Sequence, residues 1–457
     1  MPEENKMGTM PVNRLILTMS IPMIVSMLVQ ALYNVVDSVF VSRLNEAALQ
    51  AVSLAFPIQN LMIAVSVGTC VGVNALLSRS LGEKNQEMVN QAADQGIFLS
   101  FMSYAVFAVV GFFFSHAFFA VQTSDPAVLA YGQDYMFINC VFSLGLFGQV
   151  VFSRLLQSTG QTFYSMIIQI VGAVINIILD PILIFGWWIF PSMGVAGAAI
   201  ATVVGQTAGL LLGIYYNKRY NPEIKISLGC FRPRGHVILR IYAIGLPSIV
   251  MQTISSVMIF TLNQILISFT ETATTVFGVY FKLQSFVILP VLGLNNGIVP
   301  IIAYNYGARK RERIKKTIKL SIVYAVGMMV IGLAVFQIFP AQLLNFFEAS
   351  EEMLQIGVPA LRIISLCFVM AGFSIMCSSV FQSVGKGMES MIVSIFRQLV
   401  ILVPVAFLLS LTGQLYLVWF AFPISELLSS TLAGILLRRT YVRIIKPIGA
   451  ETVEEIP

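Results

Sequence analysis

Twelve apolar runs, each long enough to cross a bilayer, follow one another along this chain of 457 residues. No other feature restricts the fold as much. They lie near 15–41, 50–77, 93–118, 131–156, 164–189 and 195–216, then 238–268, 275–303, 317–340, 354–381, 390–411 and 415–437. A bilayer core offers no water to satisfy backbone N–H and C=O groups, so such runs close those bonds internally as α-helices. Composition agrees: 57% of the residues are hydrophobic and 11% charged, against about 25% charged in a soluble domain. The expected class is an all-α polytopic membrane protein with little chain left for a soluble domain. The residues before Pro11 are polar and of both signs, without the basic start and small-residue cleavage site of a signal peptide. The first run is therefore read as a retained span.

The runs fall into two sets of six. Ser20-Ile-Pro22-Met-Ile24-Val25 matches Gly245-Leu-Pro247-Ser-Ile249-Val250, and 247 − 22 = 225. Leu81-Gly82-Glu83-Lys84 matches Tyr306-Gly307-Ala308-Arg309 at the same offset, and Gly132 matches Gly357. The closest pair is Gln157-Ser158-Thr-Gly160, with Ser165-Met166-Ile167 after it, against Gln382-Ser383-Val-Gly385 and Ser390-Met391-Ile392. Matches so far apart at one offset imply two six-span halves in the same orientation, related by an axis along the membrane normal. The expected organisation is an N-lobe over 1–216, a linker over 217–237, and a C-lobe with a tail over 238–457. Parallel repeats of this kind suit alternating access, in which two lobes rock.

Charge is distributed by side. Lys218, Arg219, Lys225, Arg232, Arg234 and Arg240 surround the linker, and Arg309, Lys310, Arg311, Arg313, Lys315, Lys316 and Lys319 follow the eighth span. Arg438, Arg439, Arg443 and Lys446 close the chain, whereas the opposite loops hold Arg43 with Glu46, Asp125, Glu271, Glu348, Glu351 and Glu352. The positive-inside rule puts both termini in the cytoplasm. The net charge of +6 is then a topology signal, and no nucleic-acid partner is expected. The five cysteines are scattered, without a CxxC pair; neither a disulfide framework nor a zinc site follows.

One intramembrane stretch carries chemistry: Asn176-Ile-Ile-Leu-Asp180-Pro181-Ile-Leu-Ile-Phe-Gly186. An aspartate at that depth costs roughly 2.5–3.5 kcal/mol on insertion scales, so it faces protein or an aqueous cavity. Pro181 donates no N–H to the carbonyl of Ile177 and its ring presses on that turn, which predicts a bend. Asn176 lies one turn below Asp180 on the same face, and Gln169 two further turns back. Oxygen-rich groups in apolar surroundings suit a proton or a small hard cation. In the first span Gln30, Tyr33, Asn34 and Asp37 recur at i, i+3, i+4 and i+7, a polar stripe that reads as interhelical bonding or a cavity lining. The sixth span opens with Gly194-Val-Ala-Gly197-Ala-Ala-Ile-Ala-Thr202, small enough for a close helix approach, and continues to Gln206. Thr202 alone is a packing hydroxyl; together with Asp37, Asn176 and Asp180 it completes an oxygen cage. The second half lacks this site, with Ile401, Val405 and Ala406 in place of Asn176, Asp180 and Pro181.

Other charges within the spans are less specific. Lys282 either pairs with a carboxylate or snorkels to an interface. Arg154, Arg362 and Arg397 read as structural. Glu426, well inside the twelfth span, is either a buried hydrogen-bonded carboxyl or a second proton site.

With these motifs in view, the chain resembles the multidrug and toxic compound extrusion (MATE) family, in particular the bacterial branch of the staphylococcal drug pump. The resemblance covers essentially the whole chain. It rests on the Asn176–Gly186 stretch, on Leu32-Tyr-Asn-Val-Val-Asp37-Ser-Val-Phe-Val41, on the two Gln-Ser-x-Gly segments, and on Gly297-Ile-Val-Pro300-Ile-Ile-Ala-Tyr-Asn305-Tyr-Gly307-Ala308. It implies a twelve-helix, two-lobe antiporter that expels organic cations and drugs as Na⁺ or H⁺ enters. It also implies that Asp37, Asn176, Asp180 and Thr202 form the N-lobe cation site, with no cofactor or metal beyond such a coupling ion. A bacterial inner-membrane location, lipid contact and a monomer are expected with it. Another branch of the family carries acidic residues in the seventh and tenth spans. Here the seventh offers Asn263 and Gln264 and the tenth no core carboxylate, so a C-lobe site of that kind is not expected.

Rival readings are weaker. A flippase for lipid-linked oligosaccharides on the related fold calls for cavity cations, whereas the basic residues here lie mostly in loops. A narrow-specificity metabolite exporter stays open. A membrane enzyme lacks support: the only histidines are His116 and His236, and no HExxH or nucleophile motif is present.

Overall fold

The computed structural model describes residues 4–187, 190–226 and 232–448. Cys230 and part of the linker lie outside these residues, as does the end of the fifth predicted span. The regular elements among the described residues are all helical, without a strand. In chain order the helices are α1 (Lys6–Thr9), α2 (Val12–Ser42), α3 (Glu46–Gly82), α4 (Gln86–Ala120), α5 (Pro126–Val141), α6 (Leu144–Ser158), α7 (Thr162–Phe185) and α8 (Gly194–Tyr220). The second half continues with α9 (Gly235–Ile267), α10 (Glu271–Gly307), α11 (Arg311–Ile338), α12 (Pro340–Asn345), α13 (Glu351–Ser365), α14 (Phe368–Ser383) and α15 (Gly387–Ile395). A stretch of wider π-helical turns, Phe396–Leu402, leads into α16 (Val403–Ser410), followed by α17 (Leu415–Val418) and α18 (Ala421–Thr440). Among the described residues ten helices are long and apolar enough to cross a membrane, and two bent pairs bring the number to twelve if each pair is one span.

Those pairs are the fourth and tenth spans, which the sequence presented as continuous. α5 and α6 meet at 43° and α13 and α14 at 47°. Both breaks are local. The Ser143 hydroxyl donates to the Cys140 carbonyl at 2.7 Å, and the Ser365 hydroxyl to the Arg362 carbonyl at 3.1 Å. Each takes up a carbonyl at the end of a first segment.

The 225-residue repeat persists in backbone detail. The side chain of Asn45 accepts the Ala48 N–H at the start of α3, and Thr270 accepts the Ala273 N–H at the start of α10. Asp125 and Ser350 cap α5 and α13 in the same way. Gly160 and Gly385 take the left-handed conformation, at φ 89° and 84°. The next N–H, of Gln161 or Lys386, reaches back to Leu156 or Phe381 at 2.7 Å in both halves, the geometry of a glycine-terminated helix. Lys84 and Arg309 also share positive φ, at 58° and 54°.

The chain forms two compact units, and their boundaries differ from the linker. One comprises Val25–Ile249; the other combines Met1–Ile24 with Val250–Pro457. The chain thus passes between units inside α2 and inside α9, again 225 residues apart. In the first unit, Gly68 and Gly72 of α3 lie against the backbone of α9: a Cβ on Gly72 would meet the Ile241 oxygen at 2.1 Å. In the second unit, Gly293 and Gly297 of α10 lie likewise against α2, where a Cβ on Gly293 would meet the Ile24 Cα at 2.6 Å. Glycine is required at these contacts because two helix backbones touch.

Candidate cation-binding site

The site lies within the Val25–Ile249 unit and is built mainly on α7 and α8. These helices approach closely because both are small at the contact. A Cβ on Gly205 would lie 2.6 Å from the Gly172 oxygen, and one on Gly197 would lie 2.6 Å from the Leu183 carbonyl. That approach brings Asn176 of α7 against Thr202 of α8. The Asn176 amide nitrogen donates to Asp180 Oδ2 at 3.2 Å, while its oxygen faces the Thr202 hydroxyl at 3.2 Å and the Thr202 N–H at 3.1 Å. This orientation matches donors to acceptors. The Thr202 hydroxyl also lies 3.0 Å from the Ala198 carbonyl. Asp180 is fully buried and Asn176 nearly so.

Asp37, on α2, is within Coulombic reach of Asp180, as are the Tyr33 and Tyr135 hydroxyls. Its Oδ1 is buried and accepts no hydrogen bond. The structure therefore joins Asn176, Asp180 and Thr202 in one hydrogen-bonded group and sets Asp37, from a third span, within Coulombic reach of Asp180. The surrounding core is apolar, with Val41, Met62, Phe107, Phe147, Ile184 and Ala198 among its buried members.

Two further residues belong here that the sequence did not single out. Tyr135 of α5 is buried, and its hydroxyl accepts from the Gln59 side-chain amide of α3 at 2.9 Å. The available signal was Gln59-Asn60, a polar pair in the middle of an otherwise apolar second span.

The remaining candidates are placed less centrally. Gln30, Tyr33 and Gln206 are half-buried, while Asn34 is exposed and its carbonyl accepts the Ser38 hydroxyl. Gln169 makes only a long 3.5 Å contact to Ser165. Pro181 lies within α7, which continues helically past it to Phe185 and ends at Gly186 in the left-handed conformation. In the other unit, Lys282 is exposed and lies 6.0 Å from the Phe347 ring centre, facing no carboxylate. Glu426 is buried, with Oε2 3.5 Å from Arg397 Nη1.

A family model described as MatE matches residues 22–182 and again 247–408. The chain belongs to the MatE family. The two matched segments are the two halves of the repeat. Among relatives, the multidrug export protein MepA of Staphylococcus haemolyticus is 27% identical over 405 residues, 88% of each chain. An FAD transporter of Shewanella oneidensis is 25% identical over 449 residues, 98% of each chain. Among solved structures, a multidrug resistance MATE family transporter in its outward-facing conformation superposes with a TM-score of 0.91. It shares 26% identity and is matched over 97% of this chain and 99% of its own. This MatE chain is accordingly a multi-pass membrane transporter of the multidrug export family, with small molecules as the class of substrate. The all-α, twelve-span reading and the family resemblance both hold.

Proposed function

We propose that this MatE protein is a secondary active exporter in which Na⁺ or H⁺ entering at Asp37 and Asp180 drives small organic cations out of the cell. The observation that carries the reading is a pair of carboxylates, Asp180 buried and Asp37 half-buried with a buried Oδ1, that have no counter-cation among the described residues in an apolar part of the first half. Asp180 has one neutral amide as donor, and Asp37 Oδ1 has none. Two unneutralised carboxylates at that depth attract either a proton or a small cation. Asn176 and Thr202 supply the neutral oxygens that a hard cation also needs.

In the cycle we infer, an ion from outside neutralises Asp37 and Asp180. The helix around Pro181, which lacks one backbone bond, then repacks and the substrate leaves outward. The ion is released inward, and the carboxylates again favour a cationic substrate. Gln30, Tyr33, Asn34 and Gln206 would contact that substrate. The basic loops support cytoplasmic termini and the inner membrane of a bacterium as the location, with the protein working as a monomer.

A second reading has one observation in its favour. The FAD transporter matches nearly the full chain, so a dedicated metabolite rather than a drug is the alternative substrate. Vesicle efflux distinguishes the two. Ethidium efflux driven by an imposed Na⁺ gradient, or by an imposed pH gradient, and stopped by Asp180→Asn or Asp37→Asn at normal expression, is the expected result. Normal efflux from both variants removes the mechanism. No ethidium movement under either gradient, in folded and inserted protein, transfers the argument to metabolite export.

A further inference from the structure

The second half carries a buried polar cluster around Glu426, whose two readings from sequence, a hydrogen-bonded carboxyl or a second proton site, the proposed cycle leaves open. Glu426 of α18 has a side chain only 7% exposed, and among the described residues its one ion-pair partner is Arg397 at 3.5 Å. Arg397 comes from the π-helical turns Phe396–Leu402, and the Ser425 hydroxyl donates to its carbonyl at 2.8 Å. The other carboxylate oxygen, Glu426 Oε1, is buried and accepts nothing. The Tyr280 hydroxyl of α10, from a residue 1% exposed, is likewise buried without a partner. Tyr280 and Cys367, the latter at the α13–α14 break, lie within Coulombic reach of both Glu426 and Arg397. Rings close the region: Phe277, Phe281 and Phe422 pack around Tyr280 with centroids 5.7–6.3 Å away, and Trp419 lies against Phe277.

The chemistry of this cluster selects its ligand. An organic ion would have to displace packed aromatic rings. A metal cation would meet the Arg397 guanidinium beside the only carboxylate. A proton needs neither space nor a ring of oxygens. A carboxylate with one long ionic contact and one empty oxygen is also poorly held as a fixed ion pair, since strong guanidinium–carboxylate pairs are short and bidentate. π-Helical turns within α-helices recur at functional sites. Position agrees at the level of spans: Arg397 and Glu426 lie on the eleventh and twelfth spans, the repeat counterparts of the fifth and sixth, which carry Asn176, Asp180 and Thr202.

We propose that Glu426 is a second proton-carrying carboxyl in the C-terminal half, with Arg397 as the counter-charge that its protonation releases. A proton from water forms the O–H bond on Glu426. The ionic contact to Arg397 is lost, and the neutral acid bonds with the Tyr280 hydroxyl. Deprotonation to the other aqueous side restores the pair. This step is independent of which substrate the protein exports.

Infrared difference spectroscopy of the full-length protein in lipid, recorded between alkaline and acidic pH, tests it without transport. The expected result is a component of the carboxylic-acid C=O band that is missing in Glu426→Gln and kept in Glu426→Asp and in the Asp37→Asn, Asp180→Asn double variant. A band unchanged in Glu426→Gln means a permanent ion pair and overturns the proposal. If Glu426→Gln does not fold, Glu426→Asp supplies the readout: one component of the band should move in frequency relative to wild type, and a band identical to wild type is equally fatal. In proteoliposomes the number of protons exchanged per substrate should fall by one in Glu426→Gln, whereas an unchanged number denies the site a part in transport.

Discussion

At the scale of single residues, the candidate site depends on Asn176 being shared. Its nitrogen serves Asp180 and its oxygen faces Thr202, so one neutral side chain links the acidic helix to the small-residue helix. The Thr202 hydroxyl is the most exacting part to test. Thr202→Val keeps the shape and removes an oxygen that would meet the incoming ion. A lost hydrogen bond to a charged group is worth about 1.5–3 kcal/mol. Half-maximal efflux should then require an ion concentration higher by about tenfold or more, and Thr202→Ser should recover it. No change in Thr202→Val would take the hydroxyl out of the site. The four site residues were readable because polar groups in apolar spans are few and costly. Tyr135 and Gln59 were not, because a tyrosine in a helix gives no sign of which element it will face.

At the scale of elements, the geometry of the α7–α8 pair is set by glycines that touch a backbone. Gly197→Val places a side chain where the Leu183 carbonyl already stands, at 2.6 Å. Overpacking of this kind costs about 1–3 kcal/mol, so thermal unfolding in detergent should occur at a lower temperature and cation-driven efflux should weaken with it. Gly278 of α10 provides the contrast, with nothing within 4 Å of its would-be Cβ. Gly278→Ala should leave the unfolding temperature equal or higher, since alanine is favoured over glycine in a helix by roughly 0.5–1 kcal/mol. Equal losses from both variants would refute the packing argument. Span existence was legible from apolar length, yet the two breaks were not. They arise at Phe142–Ser143 and Leu366–Cys367, where neither proline nor glycine interrupts the run, and where serine hydroxyls take up freed carbonyls.

At the scale of the whole molecule, the repeat governs how the chain enters its first and seventh spans. In the unit formed by the N-terminal segment and the second half, Arg313 donates to the Met7 and Met10 carbonyls at 3.0 and 2.7 Å. Asn305 donates to the same Met7 carbonyl at 3.0 Å, and Lys310 to Gly8 at 3.0 Å. The repeat equivalent of Met7 is Arg232, since 232 − 7 = 225. In the other unit its carbonyl accepts from Gln95 at 2.9 Å, and Gln95 Oε1 in turn accepts the Arg234 N–H at 3.0 Å. Each lead-in segment is thus held by side chains remote in sequence. Arg313→Met should free the Met10 carbonyl, leave Met7 with Asn305 as its one donor, and speed amide exchange in residues 5–10 by about tenfold or more, from bonds worth about 1.5–3 kcal/mol each. Exchange at wild-type rates would show that the clamp is incidental.

The sequence by itself determined the class, the span count, the twofold repeat and the acidic core of the candidate site. Each follows from a rule that acts locally: apolar length for a bilayer, period for a helix face, and the high cost of an intramembrane carboxylate. Tertiary structure alone decided which unit each half of α2 and α9 joins. It also decided that Tyr135 and Gln59 flank the carboxylates, that Lys282 stands apart, and that Arg397 meets Glu426. Those pairings join residues tens to hundreds of positions apart. Side-chain type and spacing within one helix do not encode which neighbour a face will meet; that is settled only when backbones pack at their glycines.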